Sequence, residues 1–142
     1  MSNVALDMRS KVLQLEQVMR EMPQVELDTK HYHADGMYAR VLSRPAGTLI
    51  VGKKHKKQHF YVVLTGRVQV VGDEEVKEFG PGTVLVSEPG TKRAVLALED
   101  SVCMTVHRTN KRNLDKIEKE LVEDEPLALF DSSNKLKVKE LT

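Results

Sequence analysis

From Ser2 to Met22 the chain has neither Gly nor Pro, and Met8, Val12, Leu15, Met19 and Met22 recur at alternating steps of four and three. That spacing sets one apolar stripe along a helix, which Pro23 ends. The stripe is too short for a free-standing coiled coil, so it packs on its own domain or pairs with a second subunit. From about Glu26 to Thr109 the pattern changes to short β-rich runs: MYARVLSR, TLIVG, FYVVLTG, RVQVV, TVLVSE, AVLALE and SVCMTVH. Turn residues separate them at Ala34-Asp35-Gly36, Pro45-Ala46-Gly47, Gly72-Asp73, Gly80-Pro81-Gly82 and Pro89-Gly90. Such a series predicts an antiparallel sandwich or barrel. Beyond Thr109, Leu114, Ile117 and Leu121 share a helical face, with Pro126 as the expected stop, and the last stretch SSNKLKVKELT is expected to be a polar tail, with a short edge strand or a partner-docking segment as the alternatives. The expected organisation is an N-terminal amphipathic helix over 1–24, a β-barrel over 25–110, and a C-terminal helix and tail over 111–142.

The 142 residues suit one domain with a continuous core. Charged residues make up 30%, yet the formal net charge is only +1, so any electrostatic function is local. Few aromatics and no Trp argue against a stacking platform for nucleic acid. No apolar run reaches the roughly 20 residues needed to cross a bilayer. A lone Cys103 and the absence of a charged-then-apolar leader give the expectation of a cytoplasmic protein.

The most concentrated chemistry lies in VGKKHKKQHFYVVL, Val51 to Leu64, where four lysines and two histidines precede a strand. On an extended chain Lys53, His55, Lys57, His59 and Tyr61 share one face. Lys54 and Lys56 would face outward, as strand-edge charges do. No Ser-His-Asp set and no Walker-type glycine loop is present.

The middle of the chain, roughly Ala34 to His107, resembles the cupin superfamily, the RmlC-like jelly rolls. The first cupin motif, G-x5-H-x-H-x3-E-x6-G, matches in spacing at Gly47, Lys53, His55, His59 and Gly66. The second, G-x5-P-x-G-x2-H-x3-N, falls on Gly82, Glu88, Gly90, Arg93 and Ala97. The resemblance implies a mainly β fold with a single small cupin-type barrel (double-stranded β-helix) between the two helices. In metal-dependent members, two histidines and the glutamate of the first motif and the histidine of the second hold a divalent ion. Here only His55 keeps the family residue; Lys53, His59 and Arg93 occupy the other three positions.

Arg cannot ligate a cation, and Lys does so only when deprotonated. Two histidines between two fixed positive charges therefore disfavour a metal, and no cofactor is expected. The same groups suit an anion, since Arg can grip a carboxylate or phosphate bidentately and imidazole adds donors. The expected ligand-binding set is Lys53, His55, Lys57, His59, Tyr61, Arg93 and His107. The leading expectation is a metal-free binding protein for a small nucleotide-derived or sugar-phosphate anion, similar to cupin-like proteins of bacteriophages, where sequestration of a host nucleotide is one conceivable role.

Two alternatives stay open. One is a metal-independent epimerase or isomerase with His55 or His59 as base and Tyr61 as acid, for which Asp35, Glu88 and Asp100 are the available carboxylates. The other is a metal-dependent cupin using His55 and His59 with His107, or with a histidine of the His31-Tyr32-His33 segment; a virion structural role is a further option. No nucleic-acid polymer or membrane is expected as a partner, and a homo-oligomer is. Cys103 is expected to pack in the barrel as an inert thiol.

Overall fold

The computed structural model describes residues 3–21, 24, 26–72, 75–124 and 132–133. The order is α1 (Asn3–Arg20), β1 (Thr29–Ala34), β2 (Met37–Arg44), β3 (Leu49–Val51), β4 (His59–Thr65), β5 (Val68–Val71), β6 (Val76–Phe79), β7 (Val84–Ser87), β8 (Ala94–Ala97), β9 (Ser101–Arg108) and α2 (Leu114–Leu121). Strands β1-β2-β9-β4-β7 form one antiparallel sheet and β3-β8-β5-β6 a second. Tyr61, Val63 and Cys103 of the first sheet pack on Val68, Val70 and Val95 of the second, so the sheets close face to face on a shared core. Val63, Val68 and Cys103 are fully buried.

Tight turns fix the registers. Asp35 and Gly36 both have positive φ, 39° and 76°. Two left-handed residues in succession make the hairpin turn whose twist matches the flanking strands. At Gly66, φ is 81°, and a Cβ there would collide with the Ser101 side chain and the Asp100 carbonyl, so the turn from β4 to β5 admits only glycine.

The five-stranded sheet has two contrasting faces. One cross-strand row on its outer side runs Tyr32, Ala39, Val106, Phe60, Val86, with Val62 and Val84 in the next row. Tyr32, Phe60, Val84 and Val86 are about half exposed there. Inward, β2 presents Tyr38, Arg40, Leu42 and Arg44 to a cavity of about 660 Å³ between the sheets.

The helices sit at the cavity wall. Val12 of α1 is buried, Met8, Leu15 and Met19 are half-buried, and Met22 lies outside the described residues. Glu16 of α1 pairs with the buried Lys92 at 3.1 Å. Asn113 caps α2, its Oδ1 accepting from the Asp115 and Lys116 amides at 3.0 and 3.2 Å. Ile117 and Leu121 pack on Tyr38. The helix stops at Leu121, ahead of the expected stop at Pro126, because Val122 is already extended (φ −119°, ψ 136°) and pairs as a β-bridge with His55. Residues 125–131 and the tail from 134 onward lie outside the described residues. No helix among the described residues is long and apolar enough to cross a membrane.

Candidate functional site

Three imidazoles meet inside the barrel, each delivered by a different local device. His59 is the first residue of β4, and His107 lies near the end of β9. Because Phe60 pairs with Val106, His59 stands beside His107 one step along. His55 comes from the non-strand segment 52–58, which backbone bonds hold in place. The Gly52 amide donates to the Arg93 carbonyl, the Lys56 amide to Leu121, the Glu123 amide to Lys54 and the Gly90 amide to His55, at 2.7–2.9 Å. Ring centroids are 4.3 Å apart for His55 and His59, 4.6 Å for His59 and His107, and 5.2 Å for His55 and His107. A nitrogen from each ring lies within 4.8 Å of the others.

The hydrogen bonds fix how those rings present themselves. His55 Nδ1 lies 3.1 Å from the Lys53 carbonyl, and a carbonyl only accepts, so Nδ1 carries the proton and Nε2 keeps a lone pair. His59 Nδ1 faces the Lys57 carbonyl in a longer version of the same contact, 3.5 Å. His107 Nε2 is 2.9 Å from Thr105 Oγ1. Burial, followed by the charge that His59 would carry, pushes His55 down to about 4. Burial, then His59 and His55, pushes His107 down to about 2. Burial also lowers His59, helped by Arg93. The three rings are therefore neutral at physiological pH.

Of the residues expected at the site, Lys53, His55, His59, Tyr61, Arg93 and His107 line the cavity. Lys57 does not; it is half-exposed and pairs with Glu120 of α2 at 2.9 Å. The shared parity that placed it with His55 fails because 52–58 is not a strand. Lys53 is paired with Glu118, and Arg93 Nη1 donates to Ser87 Oγ. His31 and His33 face inward on β1 but stay apart from the trio, because the ring of Tyr38 stands between them and His107. His31 Nδ1 bonds the Tyr38 hydroxyl at 2.6 Å. The three carboxylates considered for a catalytic role lie off the cavity wall: Asp35 is in the hairpin turn, Glu88 accepts from Gln58, and Asp100 accepts from the Ala46 amide. Cys103 is buried in the core, as its apolar neighbours predict.

Sequence reasoning missed Tyr38, Arg40, Arg44 and Glu118, all on the cavity wall. The available signal was the even-numbered parity of Tyr38, Arg40 and Arg44 in one strand, an unusual set for a single sheet face.

No family model and no curated protein sequence matches the chain. Solved structures do. KdgF from a Halomonas species aligns with a TM-score of 0.55 at 18% identity, covering 64% of this chain and 87% of that one. A cupin superfamily protein from Desulfitobacterium hafniense gives 0.53 at 13%, covering 63% and 84%. The DMSP lyase DddQ from Ruegeria pomeroyi gives 0.53 at 16%, covering 62% and 49%. The likeness is one of fold, and it agrees with the motif glycines, the strand order and the cavity between the sheets: the chain folds as a cupin-type jelly roll.

Proposed function

We propose that this barrel binds a small molecule at a divalent metal ion held by His55, His59 and His107. The observation that carries the proposal is the convergence of three neutral imidazoles, with ligand nitrogens within 4.8 Å of one another, on one cavity. Ligands on one zinc-sized ion are roughly 3.3 Å apart, so small ring rotations bring the set together. The donor chemistry fits: the rings are unprotonated, and His55 donates its distal N–H to a backbone carbonyl, the usual orienting partner of a metal-bound histidine.

A metal was disfavoured while Lys53 and Arg93 counted as bare charges at two ligand positions. Glu118 offsets the first, Arg93 keeps its charge while donating to Ser87 Oγ, and His107 supplies a third imidazole from outside the standard motif positions. A three-histidine set leaves coordination positions open for a ligand, and a bound divalent ion there would act as a Lewis acid on an oxygen donor. Arg40 and Arg93 add positive charge beside the trio, which favours an anionic small molecule. The metal-independent epimerase alternative is weaker: an imidazole at about 4 is a poor base near neutrality, and among the described residues no carboxylate is bonded to it. That a DMSP lyase shares the fold supports chemistry on a small molecule as a class.

The test is elemental analysis of protein purified without chelator, followed by titration with zinc, nickel, manganese and ferrous iron. One equivalent is expected, with affinity at least ~100-fold lower in His107→Ala and in His55→Ala. Binding of less than a tenth of an equivalent of every metal, or unchanged affinity in both variants, overturns the proposal.

A further inference from the structure

Away from the imidazoles, the cavity holds a second feature that the metal reading leaves unused. Arg44, the last residue of β2, is 6% exposed, and its guanidinium carbon lies over the ring of Tyr61, 5.7 Å from the centroid. Arg44 Nε and Nη1 are buried without a hydrogen-bond partner among the described residues. The Tyr61 hydroxyl, on a side chain 8% exposed, is buried too and makes no well-formed hydrogen bond among the described residues, with Arg44 and Cys103 as its polar neighbours. Both residues line the cavity.

A guanidinium does not shed its proton, so burial cannot be relieved by neutralisation, as it is for the histidines. It needs an anion. Among the described residues, the two acidic ones on the cavity wall are engaged elsewhere, Glu16 with Lys92 and Glu118 with Lys53. What faces the space is one fixed positive charge with spare N–H groups and a phenol O–H, beside the apolar core residues Val63 and Cys103.

We propose that this end of the cavity is a carboxylate subsite, and that the ligand is a small organic acid whose carboxylate lies on Arg44 and Tyr61. One unpaired guanidinium matches a singly charged, planar oxyanion better than a phosphate dianion, and the apolar surroundings suit a short carbon chain. Tyr61 lies two residues from His59 along β4, roughly 7 Å at strand spacing, so an acid of three to five carbons spans from the subsite to the imidazoles. The assignment of the carboxylate end stands on Arg44 and Tyr61 alone; the placing of the other end rests on the metal reading.

The experiment uses the full chain stripped with phenanthroline, a chelator without carboxylates, and dialysed. Propionate, butyrate and inorganic phosphate are titrated in turn by thermal shift and by NMR of 13C-labelled propionate. Saturable binding of propionate or butyrate is expected without metal, weakened at least tenfold in Arg44→Gln and severalfold in Tyr61→Phe, with phosphate weaker. Because no metal is present, this outcome stands even if metal titration fails, and the two ideas fail separately. Absent or non-saturable carboxylate binding overturns the subsite, as does equal binding by wild type and the two variants. Tighter binding of phosphate overturns the carboxylate assignment.

Discussion

Two faces of the same five-stranded sheet divide their chemistry in the reverse of the usual order. Outward, β1, β2, β9, β4 and β7 show water the row Tyr32, Ala39, Val106, Phe60 and Val86. Inward, the same strands bury Tyr38, Arg40, Arg44, His59 and His107 around a cavity. Exposed valines on a sheet are inexpensive, whereas buried guanidinium and imidazole groups carry a desolvation cost. A face that retains the costly arrangement is the one bound to a task, and the inner face is where function is to be sought. The inner face is itself split. Val63 seals the core with β5 and β8, while Tyr61, Cys103, His59 and His107 line the cavity.

The sharpest break of this contrast comes from neighbours on β4. Val63→Asp puts an unpaired carboxylate into the core and is expected to cost 4 kcal/mol or more, leaving little folded protein by circular dichroism, while Leu64→Asp, on the outer side, costs under about 1 kcal/mol. Comparable losses at both positions would mean that the outer face is covered.

Acid comes next. The unfolded His55 imidazole takes up a proton below its ordinary 6.5, while the folded one stays neutral until about 4. The His55 contribution to the stability of the metal-free protein is therefore full above 6.5, falls as pH drops toward 4 and levels off below that, while His107, pushed down to about 2, extends the loss to lower pH. Urea unfolding at stepped pH should show about 3 kcal/mol of loss from His55, which disappears in His55→Gln. A flat profile would show that the imidazoles are solvated.

Arg44→Met should act in the opposite sense. Replacing an unpartnered buried charge by an apolar chain of similar length is expected to stabilise the protein by about 1–3 kcal/mol in buffer without carboxylates. Destabilisation of that size would mean that Arg44 is already satisfied. The smallest effect is expected at Val86→Thr, within about 0.5 kcal/mol and with metal stoichiometry unchanged; a larger shift would assign the outer face a partner.

Much of the fold was legible because it rests on punctuation. Met37–Arg44 and Ser101–Arg108 follow the β-rich runs closely, and the Asp35-Gly36 and Gly66 turns sit where backbone chemistry demands them. The histidines were legible too, since His55 and His59 keep the motif spacing and His107 shares a strand face with Cys103 and Thr105. Two things were not. Parity was carried across 52–58, where the chain makes loop contacts to α2 instead of a strand, and this misplaced Lys57. Arg40 and Arg44 escaped because no facing was assigned to MYARVLSR, where they share the inner side with Tyr38 and Leu42.

The backbone straps from the His55 loop to Leu121 and Glu123 set an order of events during synthesis. A nascent chain emerging from the ribosome can pair β2 with β9 and seat His107 beside His59 before α2 exists. The segment that aims His55 is held only by its bonds to Arg93 and Gly90 until residues 121–123 have cleared the exit tunnel. At translation speeds of about 5–20 residues per second, the residues between the end of β9 and Glu123 delay the last straps on the His55 loop by about one to three seconds.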